Sequence, residues 1–433
     1  MAGKGIKNYR WIIVSLLFTG TVINYLDRQV IGLLKPTLEL EFKWSESDFA
    51  NLISAFSFAY AIGLLISGKF IDKVGTKIGY SVAVVVWSAA GMAHALAKTV
   101  TGFAVARASL GLGEAGNFPA AVKAVTEWFP RKERALATGI FNSGTAVGGV
   151  VALILVPLIM QSYGWKEVFI ITGALGFVWL AFWLWLYEIP TRQKRITPEE
   201  FEYIENDNSK KTGQVESNTA ISWYKLFTFP QTWAFVTGKF LIDPIFWFFL
   251  IWLPSYFSAA FNLDLKAISP ELMTIYAATT IGSIAGGYFS SFLIQRGWPI
   301  LKARKSVLLL FAILELIIMM AIAQFVTDKW VAVILISIAV ATHQAWATNI
   351  FTMASDMFPK EVVSSVVGIG GMTGAIGGIL FPLFIGKLLD IYKANGNLTG
   401  GYNVIFTICG VTYLIAWIII HLLTQKSNTA DKY

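Results

Sequence analysis

An arginine and a glutamate stand seven residues apart in a stretch that is otherwise apolar enough to lie in a membrane. Arg107 and Glu114 lie two turns apart on a helix, on nearly the same face, roughly 10 Å apart along its axis. Gly111 lies between them and adds no side chain. Charged groups at membrane depth are costly and are usually functional, so this pair marks a candidate site.

A second charged pair lies in the first apolar segment, where Asp27 and Arg28 are adjacent. If that segment starts near Arg10 on the cytoplasmic side, Asp27 lies roughly 25 Å along it. Arg107, in a descending segment, lies near the same level, roughly 9 Å below the outer edge of the bilayer core. Glu114 is then deeper, towards the cytoplasm. Neighbouring residues on a helix point about 100° apart, so Asp27 and Arg28 cannot face one partner equally well.

We expect these four side chains to divide two tasks. Arg28 and Arg107 would bind a substrate carboxylate, which a guanidinium group can hold bidentately. Asp27 and Glu114 would take up and release protons, because burial raises the pKa of a carboxyl group and a nearby arginine lowers it. A structural alternative is that the charges form ion pairs holding two helices together. The sequence leaves open whether Arg107 touches substrate or mainly sets the protonation of Asp27.

The elements that must position these charges are membrane-spanning helices. Of 433 residues, 56% are hydrophobic and 14% are charged, which is typical of an all-α polytopic membrane protein. The net charge of +8 does not indicate a nucleic-acid partner, because the basic residues lie in short connections between apolar segments. The single Cys409 offers no disulfide framework and no cysteine-based metal site. We expect no cofactor and no metal.

Twelve segments are long enough to cross a bilayer, at about 20 residues each. The predicted spans are 10–33, 49–71, 79–97, 101–122, 134–161, 165–187, 231–257, 271–295, 305–326, 330–352, 361–386 and 401–423. Of the 34 Lys and Arg residues, 23 fall on the side of the two termini and eight on the opposite side. This bias predicts that both termini are cytoplasmic.

The chain is predicted to form two six-helix bundles, residues 1–188 and 231–433, joined by a cytoplasmic linker, residues 189–230. In the linker, Thr197-Pro198-Glu199-Glu200 predicts a capped surface helix. Residues 209–219 are polar and predicted to be loose, and residues 221–227 are amphipathic and suit the membrane interface.

An internal repeat supports the division into two bundles. Glu127-Trp-Phe-Pro130 and Asp356-Met-Phe-Pro359 are 229 residues apart and are followed by glycines at matching positions. The first copy joins spans four and five, and the second joins spans ten and eleven. Glycines at such spacings let membrane helices approach closely.

A loop between spans two and three carries the first family resemblance. Its sequence, Gly68-Lys-Phe-Ile-Asp72-Lys73-Val-Gly75-Thr-Lys77, resembles the G-x-x-x-D-x-x-G-x-[RK] motif of the major facilitator superfamily. The resemblance implies the major facilitator fold and a cytoplasmic latch, with Asp72 beside the end of a neighbouring helix and Lys73 and Lys77 near lipid phosphates. The second half has only a degraded copy with Ser291 in place of the acid, so a symmetric latch is not expected.

Three further segments narrow the resemblance. Residues 24–28, 107–119 and 243–254 are similar to the anion:cation symporter family. Asp27-Arg28-Gln29 and the stretch from His343 to Asn349 resemble its bacterial hexuronate transporters. In such transporters the matching acids couple protons and the matching arginines bind substrate, which agrees with the roles given above.

Other polar and aromatic side chains are candidates for sugar recognition. Hydroxyl or amide contacts are expected from Tyr25, Tyr60, Asn142, Gln344 and Asn349, and a ring face from Trp346. For the tyrosines the alternative is helix packing, and for Asn142 it is a helix–helix hydrogen bond. Lys239 and Asp243 are one turn apart and suit an ion pair with a structural role, and His343 is left without a role.

We therefore predict a proton-coupled importer of a hexuronate, such as glucuronate or galacturonate, in the bacterial inner membrane. It would work by alternating access as a monomer, with the acidic sugar, protons and the lipid bilayer as partners. An anion entering a negative-inside cell works against about 2.3 kcal/mol per charge per 100 mV, which a co-transported proton offsets.

Three alternatives stay open. One is a symporter of aldonates or other small organic anions. Another is an exchanger of organic anions or phosphates, which the lack of an arginine in span seven disfavours. The third is a non-transporting membrane sensor or an intramembrane enzyme. The loop motif, the duplicated halves and the absence of a nucleophile–base arrangement count against it.

Overall fold

The computed structural model of the protein describes residues 5–209, 222–261 and 270–425. In this part the chain is helical, apart from turns and one isolated bridge between Ile6 and Ile196. Most of the polar linker stretch, from residue 210, and residue 221 of the amphipathic stretch lie outside the described residues.

The first half holds seven α-helices. They are α1 (Tyr9–Phe42), α2 (Glu46–Val74), α3 (Thr76–Ala93), α4 (Val100–Glu114), α5 (Asn117–Trp128), α6 (Arg131–Tyr163) and α7 (Trp165–Leu186). The turn from α2 into α3 is made at Gly75, whose φ of +87° is a left-handed value that favours glycine. Ser45 and Asp48 form a reciprocal capping box at the start of α2.

The linker and the second half hold the remaining elements. They are α8 (Pro198–Ser209), a short 3-10 helix (Trp223–Thr228), α9 (Pro230–Phe261), α10 (Pro270–Gln295), α11 (Ile300–Phe325), α12 (Lys329–Met357), α13 (Val363–Ala394) and α14 (Leu398–Leu423).

Ten helices of the described part are long and apolar enough to cross a membrane. They match ten of the predicted spans. The predicted fourth span corresponds to α4 and α5, and the seventh to α9, which is 32 residues long. The sequence did not predict the interruption at Ala115 and Gly116, where the Gly116 N–H bonds to the Gly113 carbonyl three residues back. The break follows Glu114 directly, so the buried acid ends a helix.

The predicted linker helix begins at Pro198, as the capping signal indicated, but the capping box is only half formed. The Glu200 N–H bonds to the Thr197 hydroxyl at 3.2 Å. The Glu200 carboxylate turns away and accepts from the backbone of Tyr9 and from the Arg10 guanidinium, at 2.8 Å in both cases. Because Glu200 is bound to Arg10, α8 lies against the start of α1.

The two halves meet where α2 packs on α13 and α6 packs on α10. Glycines permit this approach: a Cβ on Gly68 would overlap the Ser364 carbonyl, and a Cβ on Gly287 would overlap the Ala135 carbonyl. Small residues at helix crossings are the usual solution in membranes, where packing rather than the hydrophobic effect joins helices. These two contacts bring the halves together at the end that carries the loop between α2 and α3.

Candidate functional site

An ion pair between α1 and α4 forms the centre of the site. The Arg28 Nε donates to Glu114 Oε2 at 2.9 Å. Glu114 is fully buried, and its Oε1 has no hydrogen-bond partner among the described residues. The prediction that Glu114 lies apart from Arg28 was wrong. Depth was counted along the backbone, and it neglected that a long arginine side chain can reach a carboxylate at another level.

An aromatic box surrounds Arg28. Its guanidinium lies 4.7 Å from the ring centre of Tyr25, 4.6 Å from Tyr60 and 5.1 Å from Phe56. Phe56 and Tyr60 stack one turn apart on α2, with ring centres 5.7 Å apart. A cation over ring faces with water excluded is stabilised electrostatically. Tyr25 and Tyr60 were predicted as hydroxyl donors, and the structure places their rings against Arg28.

Phe56 was missed as a site residue, although its position one turn before Tyr60 was the available signal. The Phe56 ring also contacts Arg107, whose guanidinium lies 4.5 Å from the ring centre. Arg107 is 2% exposed, and its Nε and Nη1 have no hydrogen-bond partner in the described part of the chain. The charged groups that act on it are Glu114 and Arg28. Two cations thus share one carboxylate, and the excess positive charge suits an incoming anion.

Asp27 lies outside this box. It is 4% exposed and is oriented towards Thr172 of α7, although neither of its carboxyl oxygens is in hydrogen-bonding geometry with any described residue. The charged group that acts on it is Glu114. The geometry therefore favours a direct role for Arg107 over one exerted through Asp27. The helical turn between neighbours explains why Arg28 and Asp27 face different helices.

The second half presents an ion pair towards the box. Lys239 and Asp243 of α9 pair at 2.6 Å, as their spacing predicted. The Lys239 ammonium also lies 4.1 Å from the Phe351 ring centre. The Asp243 side chain is 25% exposed and interacts electrostatically with Tyr25 and Tyr60 across the halves.

Two predicted amides meet between the halves. The Asn142 Nδ2 of α6 donates to Gln344 Oε1 of α12 at 2.8 Å and to Ser283 Oγ of α10 at 2.9 Å. This is the helix–helix hydrogen bond that the sequence left open for Asn142. The polar bond joins the halves beside the contact between α6 and α10.

Trp346 and Asn349, predicted to contact the sugar, pack within the second half in this structure. Trp346 is fully buried and packs edge-on against Tyr413 at 5.4 Å. The Asn349 Nδ2 donates to the Gly286 and Ala345 carbonyls at 2.9 and 2.8 Å, so its donors are used in packing α12 on α10. The physical reason is angular: these residues lie about 200° and 140° around the helix from Gln344.

The loop motif lies at the junction of the halves. Asp72 accepts from the backbone N–H groups of Ser364 and Ser365, at 3.3 and 2.7 Å, at the start of α13. It also pairs with Lys123 at 2.8 Å. Negative charge at a helix N-terminus is stabilised by the unpaired N–H groups there. Lys73 is exposed.

Lys77 pairs with Glu188 at 3.1 Å, and its contact with lipid phosphates stays a prediction. A second connection was not predicted. Asp356 of the repeat pairs with Arg304 at 3.0 Å and lies 3.5 Å from Arg134 of the first half. The two junctions are therefore closed by different residues, as the degraded second copy of the motif indicated.

Comparison with known proteins gives concordant results. The family model described as Major Facilitator Superfamily matches residues 17–382. The hexuronate transporter of Escherichia coli (strain K12) is 34% identical over 430 residues, which cover 99% of this chain and 97% of that protein. The galacturonate transporter of Dickeya chrysanthemi is 35% identical over 311 residues, 71% of this chain and 90% of that protein. The solved structure of the proton:xylose symporter XylE has a TM-score of 0.72 at 15% identity, covering 97% of this chain and 96% of that one. At that identity the likeness shows the fold.

Proposed function

Because the chain belongs to the Major Facilitator Superfamily, we propose that it imports a hexuronate together with protons by alternating access. It is a multi-pass protein of the bacterial inner membrane, of a transporter family rather than an enzyme family. The observation that carries the proposal is the buried Arg28–Glu114 ion pair beside Arg107, whose Nε and Nη1 have no partner in the described part. The relatives named as hexuronate and galacturonate transporters support the substrate class.

The coupling follows from competition between two carboxylates for the same cations. When Glu114 takes up a proton it no longer neutralises Arg28, so Arg28 and Arg107 can both bind the substrate carboxylate with charge-assisted hydrogen bonds. When the substrate leaves, two arginines without a counter-ion are costly in this buried place, so Glu114 loses its proton and pairs again. Proton and anion therefore favour each other's binding, and the coupling is reciprocal.

Asp27 is proposed as the other protonatable group on the path. No cation acts on it among the described residues, and a buried carboxylate without a counter-ion would be costly, so we assign the neutral form in this conformation. Its charged neighbour Glu114 makes the two acids interdependent, because like charges oppose simultaneous ionisation.

The proposed topology has twelve spans, with the α4–α5 pair and α9 added to the ten apolar helices, and with both termini in the cytoplasm. The bundles are residues 1–188 and 231–433 around the linker 189–230, as the repeat and the charge bias indicate. In this orientation the junctions of α2 with α13 and of α6 with α10 close the cytoplasmic end. The proposed working unit is a monomer.

Two alternatives differ in chemistry. Aldonates share the carboxylate that the arginines would bind, so a symporter of aldonates is the second candidate. A phosphate exchanger fits less well, because Lys239 is already paired and Asp243 turns a carboxylate towards the site.

Uptake of labelled glucuronate into liposomes that contain the purified protein tests the function. An inward proton gradient should accelerate uptake, and unlabelled galacturonate should compete. Uptake that ignores the gradient would contradict coupling. Competition by galactonate without competition by glucuronate or galacturonate would assign the protein to the aldonates.

A further inference from the structure

The second half contains a buried acid that the proposed mechanism does not use. Glu315 lies within α11, its exposure is zero, and neither carboxyl oxygen has a hydrogen-bond partner among the described residues. None of the ion pairs seen in the described part of the chain involves it. An ionised carboxylate in such a place carries a large desolvation cost. The geometry therefore favours the neutral, proton-bearing form.

Two hydroxyl groups face this carboxyl, Thr342 from α12 and Tyr413 from α14. Thr342 donates its hydrogen to the Ile338 and Ala339 carbonyls at 3.1 and 2.9 Å. A hydroxyl group has one hydrogen to donate, so Thr342 offers Glu315 only an acceptor. Cys409, one turn before Tyr413, is the other titratable neighbour that α14 contributes.

Tyr413 connects the acid to a histidine. Its Oη lies 2.6 Å from His343 Nδ1, and all three side chains are buried. When Tyr413 donates to Nδ1, its oxygen is free to accept the hydrogen of a protonated Glu315. If the Glu315 proton passes to Tyr413 while the Tyr413 proton passes to Nδ1, the result is a carboxylate, a neutral tyrosine and an imidazolium. One proton has then moved from Glu315 to His343, with no other bond changed.

Of the trio Glu315, Tyr413 and His343, the histidine lies on the side of the central site. Its ring stacks on Phe246 of α9 at 5.2 Å, and the charged group that acts on it is Lys239 of the same helix. Asp243, the partner of Lys239, acts on Tyr413. The trio is therefore in electrostatic contact with the ion pair that faces the aromatic box.

The internal repeat provides an independent observation. Glu114 and His343 are 229 residues apart, the same offset as Glu127 and Asp356. The two halves thus carry a titratable side chain at the same register position, before the repeated acid-x-Phe-Pro sequence. In the first half it pairs with Arg28, and in the second it bonds to Tyr413.

We propose that Glu315, Tyr413 and His343 form a second proton-binding site, in the second half, which exchanges its proton with the central cavity through His343. This inference rests on the proposed proton coupling. It adds one proton to those moved with each substrate, carried by the half that does not hold the two arginines.

Infrared spectroscopy of the purified full-length protein tests the site without substrate or transport. The band of protonated carboxyl groups should contain a component that shifts on transfer to D2O and is absent from Glu315→Gln. The control Glu271→Gln should keep that component, because Glu271 lies at the start of α10 beside Lys329 at 3.5 Å. Asp27, also assigned the neutral form, contributes a part of this band that both variants keep. A band that is the same in the wild type and in Glu315→Gln, or a Glu315 component that never exchanges with D2O, would overturn the proposal.

A second measurement keeps the proposal testable if Glu315→Gln does not fold. In Tyr413→Phe the carboxyl component should persist but exchange at least tenfold more slowly, because the connecting hydroxyl is gone; an unchanged rate would contradict the relay. In liposomes, the number of protons per substrate should fall by one in Glu315→Gln. An unchanged ratio would refute the second site, while loss of all coupling in the wild type would refute the proposed function instead.

Discussion

At the scale of single residues, the main feature of the site is that, in the described part of the chain, its two arginines have only one ionised carboxylate, Glu114, to balance their charge. Arg28 pairs with Glu114, and the same carboxylate acts on Arg107 only through its charge. Both guanidinium groups lie over the Phe56 ring, and the second half contributes a lysine that is already paired. In the proposed mechanism a substrate carboxylate supplies the missing negative charge. The account therefore assigns binding to the arginines and coupling to the acid that competes for them.

Replacing Glu114 by Gln should separate binding from coupling. The amide mimics the protonated acid, so exchange of labelled for unlabelled substrate across the liposome membrane should continue, while accumulation driven by a proton gradient should be lost. Glu39→Gln is the control, since Glu39 pairs with Lys35 at the far end of α1. Gradient-driven accumulation at the wild-type level would remove Glu114 from the coupling.

Replacing Phe56 by Ala should weaken substrate binding by roughly 5- to 30-fold, because a desolvated cation–π contact is worth about 1–2 kcal/mol and both arginines lose one. Phe58→Ala is a matched control on the same helix, with a ring that is 67% exposed. Equal affinities for the two variants, measured by calorimetry, would show that the ring does not organise the arginines.

At the scale of helices, the sequence predicted the elements well and their contacts less well. Apolar length and basic loops located the helices, and glycine spacing indicated where they approach. The break after Glu114 was not predicted, although Gly116, Asn117 and Pro119 are turn and helix-start signals, because the apolar run around them was taken as one continuous span. The ion pair with Arg28 depends on side-chain reach between two helices, which backbone counting cannot supply. The packing of Trp346 and Asn349 within the second half depends on their angle around α12, which residue type alone does not give.

The junction of α2 and α13 should open when Asp72 is replaced by Asn. The change removes the ion pair with Lys123 and weakens the bonds to the start of α13. Spin labels at Lys73→Cys and Lys360→Cys should then show a larger share of long distances in pulsed electron paramagnetic resonance. The native Cys409 is buried and should not be labelled. Asp48→Asn, at the opposite end of α2, is the control. An unchanged distance distribution would mean that the glycine contacts alone hold the junction.

At the scale of the whole molecule, the two halves carry unequal parts of one task. The first half holds the arginines and their competing acid, and the second presents Lys239 and Asp243 with the buried trio behind them. The halves are joined at one end by Asp72 and by Asp356 with Arg134 and Arg304. Releasing these junctions while the outer ends close would turn the site inward, so rocking of the two bundles is the motion that the account requires.

The pH dependence of substrate affinity follows from the linkage. In the proposed mechanism substrate binding requires a proton on Glu114, so affinity should fall as pH rises above the range in which that acid is protonated. One linked proton lowers the substrate affinity roughly tenfold for each pH unit above that range. In Glu114→Gln the slope of log affinity against pH should be smaller by the contribution of one proton. An equal slope in the two proteins would mean that the linked proton is bound by another group.

The central claim is tested most directly by counting protons when substrate binds. Titration calorimetry of glucuronate binding to the purified protein, in buffers with different ionisation enthalpies, gives the number of protons taken up. The account predicts about one proton per bound substrate when Glu114 starts ionised, and one fewer in Glu114→Gln. If the wild-type protein binds glucuronate without taking up a proton, and with the same affinity as Glu114→Gln, the proposed coupling is contradicted.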